Sequence, residues 1–195
     1  MLASHNAGKL LELQTLLAPL GVQLVPLPQV TTFAPDETGV TFVENALLKA
    51  RAAAELTGLP AIADDSGLCV DALAGAPGVH SARFAGEHAT DADNNQLLIE
   101  RLRDVAYDQR GAMFVCVLVY LCSPRDPTPL IATGTWRGQV LDTPRGESGF
   151  GYDPLFFIPE LGCCSAQLPA AKKNALSHRG RAVVALSGLL AAALA

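Results

Sequence analysis

The sequence predicts an α/β fold built on a mixed sheet, and three observations predict it. Strand-like apolar runs alternate with helical stretches along the chain and do not segregate, which separates α/β from α+β folds. Residues 113–121 are dominated by β-branched and apolar side chains, as a central strand is. Residues 130–141 alternate with Gly and Thr and follow that run after a short loop at 123–129, so a hairpin-like pair joins the sheet.

Taken in order, residues 9–20 carry Leu10, Leu13, Leu17 and Leu20 at helical spacing, with Leu16 widening the stripe, and Pro19 and Gly21 stop this amphipathic helix. Residues 22–27 are strand-like. A second helix is predicted over 42–57, because Thr41 and Glu44 form a capping box and Gly58 ends it. Residues 59–63 form a short apolar run that predicts a buried strand. It leads into Asp64-Asp65-Ser66-Gly67, read as a glycine turn, and residues 68–73 continue the sheet beyond it. A third helix covers 90–105, with Leu97, Leu98, Leu102 and Val105 on one face; 155–158 is a short strand, and 182–195 is the last helix. No repeat and no linker interrupts the 195 residues, so a single domain is expected.

Fourteen basic residues against nineteen acidic ones give a net charge of -5. That argues against a general binder of nucleic acid or membrane surfaces, which needs a basic field. A small anionic ligand remains compatible, because local charge can oppose the net charge. The cysteines (Cys69, Cys116, Cys122, Cys163, Cys164) are odd in number and lack a Cys-x-x-Cys pair, so neither a zinc site nor a disulfide framework is indicated. The first three lie in apolar runs and read as small core residues. The start has no signal-peptide plan, and the apolar stretches at 113–122 and 183–195 are too short or interrupted to span a bilayer. A soluble protein of a reducing cytoplasm is expected.

Five constellations can carry chemistry besides the acid pair. Two adjacent carboxylates are costly to desolvate unless a cation or shared proton offsets them, so Asp64 and Asp65 read either as a metal site with a general base or as a solvated turn. Ser4-His5-Asn6-Ala7-Gly8-Lys9 enters a helix and can present N–H groups to phosphate, or simply cap it. Glu37 has no capping role, unlike Glu44, and is the better metal ligand; Lys49 lies one helical turn after Asn45 and points the same way. Gly75-Ala76-Pro77-Gly78 leads to Arg83, which can clamp a phosphate. Gly149-Phe150-Gly151 can hold a ring exposed over a nucleobase. Lys172-Lys173 through His178-Arg179 is the one dense basic cluster. Together these suit a magnesium-dependent reaction on a nucleoside polyphosphate.

With these motifs in this order, the chain resembles the inosine/xanthosine triphosphate pyrophosphatases, the Ham1-like house-cleaning enzymes. The match covers Ser4 to Lys9, Glu37-Thr38-Gly39 with Phe42-x-Glu44-Asn45-Ala46, Ala63-Asp64-Asp65-Ser66-Gly67-Leu68, Gly75 to Gly78 with Ser81-Ala82-Arg83-Phe84, Gly149 to Pro154, and Ser177-His178-Arg179-Gly180. The resemblance implies a strongly twisted sheet flanked by helices, forming two lobes with the active cleft between them. It also implies Mg²⁺-dependent hydrolysis of ITP, dITP and XTP to the monophosphate and pyrophosphate by a cytoplasmic homodimer. Carried onto this chain, Asp65 is the general base and a metal ligand, with Glu37 sharing the metal and Asp64 beside it. Ser4, His5, Asn6, Ala7, Gly8 and Lys9, with Lys49, hold the triphosphate, and Ser66 and Arg83 contact the ligand. Phe150 stacks on the purine, Gly151, Tyr152 and Asp153 complete that wall, and Lys173, His178 and Arg179 line the base pocket. Donors facing O6 are left unpaired by a 6-amino group, which disfavours adenine. His5 stands where the family often has Gly, and residues 170–173 lack the acids that often precede the family lysine. The chief alternatives are a purine-nucleotide sensor without turnover and a pyrophosphatase for a modified pyrimidine.

Overall fold

The computed structural model describes every residue except His5, Val22, Thr32, Ala34 and Ala195. Six strands form one sheet in sequential order: β1 (Leu2–Ala3), β2 (Ala61–Val70), β3 (Gly111–Leu121), β4 (Leu130–Val140), β5 (Phe156–Ile158) and β6 (Cys163–Cys164). The first pair is parallel, with Leu2 opposite Ile62. The last two pairs are antiparallel, so the sheet is mixed as expected. The α-helices are α1 (Ala7–Leu17), α2 (Phe42–Thr57), α3 (Asp91–Arg101), α4 (Ala170–Leu176) and α5 (His178–Leu194).

The chain divides into two compact units. The first comprises Met1–Asp65, Cys116–Gly134 and His178–Ala195. Its core gathers Leu2, Leu13, Leu17, Ile62, Leu118 and Leu186, all buried. The Leu13 and Leu17 stripe is the buried face of α1, which explains why that segment folds as a helix rather than as exposed chain. In α2 the Thr41–Glu44 capping box is formed and Gly58 closes the helix in the left-handed region. A Cβ on Gly134 would lie 2.0 Å from the His178 carbonyl oxygen and 2.4 Å from Ala182 N. Glycine is therefore what lets β4 lie against the first turn of α5.

The second unit comprises Ser66–Val115 and Thr135–Ser177. Leu98 and Leu102 from the α3 region pack with Val70, Phe114, Trp136 and Phe156. The Phe156 ring centroid lies 4.5 Å from that of Phe114 and 5.4 Å from that of Trp136, both tilted, which is a favourable aromatic geometry.

Several expectations change. Residues 23–25 carry no strand: Pro26 makes one isolated bridge to Leu2, and Leu27–Gln29 turns as a 3₁₀ helix, because prolines 26 and 28 cannot donate to a ladder. Val22, the start of that predicted strand, lies outside the described residues. Asp64-Asp65-Ser66-Gly67 is no turn, since β2 runs straight through it. The third helix ends at Arg101, and α5 begins at His178 rather than at 182. Cys122 is exposed rather than core. Among the described residues, no helix is long and apolar enough to cross a membrane.

Candidate active site

In the first unit the acid pair sits at mid-strand, buried, and its neighbours explain how a strand tolerates it. Asp64 has no exposed side-chain surface. Its Oδ1 lies 2.8 Å from Lys9 Nζ, and its Oδ2 accepts from Cys116 Sγ at 3.0 Å and Arg179 Nε at 3.4 Å. The other end of the Arg179 guanidinium pairs with Glu12 of α1. Burial alone would raise the Asp64 carboxyl, but Lys9, Arg179 and Lys49 outweigh it and hold the group well below the usual range. Two charges from α1 and α5 thus anchor β2 through one carboxylate.

Asp65 is placed differently. Its Oδ1 accepts from Lys49 Nζ at 2.6 Å, and the same ammonium lies 3.0 Å from Glu37 Oε1. Its Oδ2 is buried without a hydrogen-bond partner. Burial pushes the Asp65 carboxyl up despite Lys49 and Lys9. Burial opposes the charge of Lys49, yet Asp65, Glu37 and Asp64 raise it and keep it protonated. The alternation of a strand separates the two acids, so one is held as a permanent anion and its neighbour is made more basic.

The helix entry fits an anion. Asn6 Oδ1 accepts from Lys9 N at 2.9 Å, and Asn6 N donates to Ser4 Oγ at 3.3 Å. Ala7 and Gly8 open α1 ahead of its first backbone bond, and no acid lies in the first turn. His5 lies outside the described residues. Glu44 serves the capping box, as its spacing predicts, accepting from Thr41 N at 2.8 Å. Asn45 is buried and accepts from Gly39 N at 2.8 Å, which ties the Glu37 loop to α2.

A divalent ion is implied by these acids, and the side chains can be tested against it. Among the described residues, no three His, Cys, Asp or Glu side chains converge as a cage. Mg²⁺ rarely has such a cage; it takes one or two carboxylates and completes its shell with water and substrate phosphate. Glu37 and Asp65, converging on one cation with one buried oxygen left over, fit that pattern. Asp64, expected beside them as a ligand, instead has both oxygens engaged by Lys9, Cys116 and Arg179.

The second unit holds the aromatic loop. Gly149 has φ +83°, and a Cβ there would meet Asp153 Oδ2 at 2.2 Å, so no other residue fits. Phe150 is half-buried. Its N–H donates to Asp153 Oδ2 at 2.9 Å, and Lys173 Nζ donates to that same oxygen at 2.5 Å while standing 4.9 Å from the Phe150 ring centroid. Ser165 Oγ donates to Asp153 Oδ1 at 2.8 Å. A pocket of about 480 Å³ adjoins the loop, lined by Gly149, Phe150 and Gly151 together with Asp91, Asn95 and Ile99 of α3. Tyr152, expected in the wall beside Phe150, is a core residue whose hydroxyl donates to Ser81 O at 2.8 Å.

The basic run is no solvated patch. Lys173, His178 and Arg179 are all buried, the first in the second unit and the other two at the start of α5. Arg179, expected against the base, is committed to Asp64 and Glu12 within the first unit. Ser66 is half-buried, and Arg83 lies 3.7 Å from the exposed Glu87. Sequence reading missed Glu12, Cys116, Asp91, Asn95 and Ser165. Glu12 was accessible, because it follows Lys9 by three residues and so shares its helix face.

The Ham1 family model matches residues 1–189. A protein of Photorhabdus laumondii named dITP/XTP pyrophosphatase is 54% identical over 94% of this chain and 93% of its own length. One of the same name from Escherichia coli K12 is 53% identical over the same shares. The solved structure of a HAM1 protein from Coxiella burnetii superposes with a TM-score of 0.90 at 48% identity, covering 97% of this chain and 96% of that one.

Proposed function

The chain belongs to the Ham1 family, and from that premise we propose how its residues carry out the hydrolysis of deaminated purine nucleoside triphosphates. It is an enzyme, a nucleoside-triphosphate pyrophosphatase that converts ITP, dITP and XTP to the monophosphate and pyrophosphate. Water adds across the α–β phosphoanhydride bond; the observation that carries the assignment of the base is Asp65, with Oδ1 fixed by Lys49 and Oδ2 buried without a partner. That oxygen takes a proton from the attacking water. Glu37 and Asp65 hold Mg²⁺, which when bound supplies positive charge to the phosphate oxygens. Lys49 keeps the two acids in register. Ser4, Asn6, Lys9 and the N–H groups of Ala7 and Gly8 bind the triphosphate, with Asp64 keeping Lys9 in place and Arg179 keeping Asp64. Phe150 stacks on the purine from a loop braced by Asp153 and Lys173, while Ser66, Arg83 and His178 contact the ligand.

The whole chain acts as one pyrophosphatase domain of a cytoplasmic homodimer, a state that size-exclusion with light scattering checks. The deciding assay is pyrophosphate release from ITP, XTP, GTP and ATP with and without Mg²⁺. Metal-dependent release from ITP and XTP, with GTP and ATP slow, is expected. Equal rates for ATP would remove the preference for deaminated purines, and ITP binding without release would make the protein a sensor.

A further inference from the structure

We propose that Asp91 and Asn95 of α3 are positioning residues for base recognition, clamping the backbone of Gly151 and so fixing the angle at which Phe150 meets the purine. The inference rests on the reading of Phe150 as the stacking aromatic. Asp91 Oδ2 accepts from Gly151 N at 2.7 Å, and Asn95 Nδ2 donates to Gly151 O at 2.9 Å. The two side chains are one helical turn apart and share a face. Asp153 Oδ2 accepts from Phe150 N at 2.9 Å. Phe150 N, Gly151 N and Gly151 O are thus each bound by a side chain.

The segment needs this bracing. Gly149 and Gly151 both take positive φ, +83° and +61°, and glycine is the residue with the most backbone freedom to lose. Asp153 holds the Phe150 side of this segment, and the clamp holds the Gly151 side. Helix α3 itself does not require these contacts. Its N-terminus is already satisfied by Thr90 and Asp93, with Asp93 Oδ2 accepting from Thr90 N at 2.8 Å. Asp91 and Asn95 also line the pocket beside Phe150, so the clamp and the aromatic belong to one wall.

A set of variants separates positioning from general stability: Asp91→Ala, Asp91→Asn, Asn95→Ala, Phe150→Ala, and Asp93→Ala, which removes the capping box without touching Gly151. The readouts are kcat and KM for ITP, the ITP-to-GTP ratio of kcat/KM, and thermal stability. Phe150→Ala should raise KM for ITP about tenfold, the effect of a lost stacking partner. Asp91→Ala and Asn95→Ala should raise it about threefold to tenfold with kcat little changed, because a displaced shelf loses orientation before chemistry. Asp91→Asn, whose amide oxygen still accepts from Gly151 N, should restore most of the loss. Asp93→Ala should lower stability and leave KM alone. In the Phe150→Ala background Asp91→Ala should add nothing. Wild-type KM in both clamp variants, or an equal rise from Asp93→Ala, overturns the proposal while leaving the stacking reading intact. An unchanged KM in Phe150→Ala removes the stacking reading itself, and the clamp with it. Should Asp91→Ala fail to fold, Asn95→Ala carries the same decision.

Discussion

Asp64 and Asp65 are the same residue twice, and their different surroundings divide the work. Asp65 has a free buried oxygen, so Asp65→Asn should cut turnover by about 10²–10⁴-fold, the range of a general base, and leave ITP binding largely intact. Full activity in that variant would move the base elsewhere. Asp64 answers Lys9 and the buried Arg179, so Asp64→Asn should cost about 3–5 kcal/mol of stability, as removal of one partner from a buried pair does. The pH dependence has a definite sign. The folded-state carboxyl is held below its unfolded value, so its contribution is complete above about pH 4, the unfolded aspartate range, and is lost as pH falls. Denaturant titrations of wild type and Asp64→Asn should therefore diverge most near neutral pH and converge in acid. Parallel curves down to pH 3 would contradict the role of the charge.

At the scale of elements, what could be foreseen follows the range of the force involved. Helix α2 was legible to the residue because Thr41, Glu44 and Gly58 are local signals. The central strand was legible because 113–121 is apolar without interruption. The acidic stretch was misread as a turn, since Asp, Ser and Gly are turn formers by local preference. Lys9, Lys49 and Arg179, from three helices distant in sequence, override that preference and let β2 continue. The early start of α5 was hidden for a related reason: residues 178–181 are polar, and only the fold reveals that His178 and Arg179 turn inward. Of the site, the residue types were visible and their pairings were not, because Asp64 cannot be told from Asp65 without knowing which neighbour carries Arg179. The junction of β4 with α5 gives a test at this scale. A methyl group at Gly134 would collide with the backbone of His178 and Ala182. Gly134→Ala should cost about 1–3 kcal/mol, the usual penalty of overpacking, and should also reduce activity through the displaced Arg179. A variant that melts like wild type would show that the helix accommodates the methyl group.

For the molecule as a whole the difficulty is charge. Its substrate is a polyanion, yet the chain carries nineteen acidic residues against fourteen basic ones. The cluster of the first unit does not reverse that balance. Lys9, Lys49 and Arg179 stand against Glu12, Glu37, Asp64 and Asp65, three cations to four carboxylates, a net of one negative charge. A triphosphate meets repulsion there until a divalent ion makes the sum positive. Unit charges a few ångströms apart interact by about 1–4 kcal/mol between bulk water and a protein surface, so the ion governs binding as well as chemistry. An α,β-imido analogue of ITP, which cannot be cleaved, isolates binding from turnover. Calorimetry should show its affinity falling at least about tenfold when Mg²⁺ is replaced by a chelator, a loss of about 1.4 kcal/mol or more. Added salt should weaken the metal-loaded complex and affect the metal-free protein far less, because screening acts on an attraction that only the loaded site provides. Equal affinity with and without the ion would mean that Lys9, Lys49 and the start of α1 suffice for the phosphates, and Glu37 would then lose its place as a metal ligand.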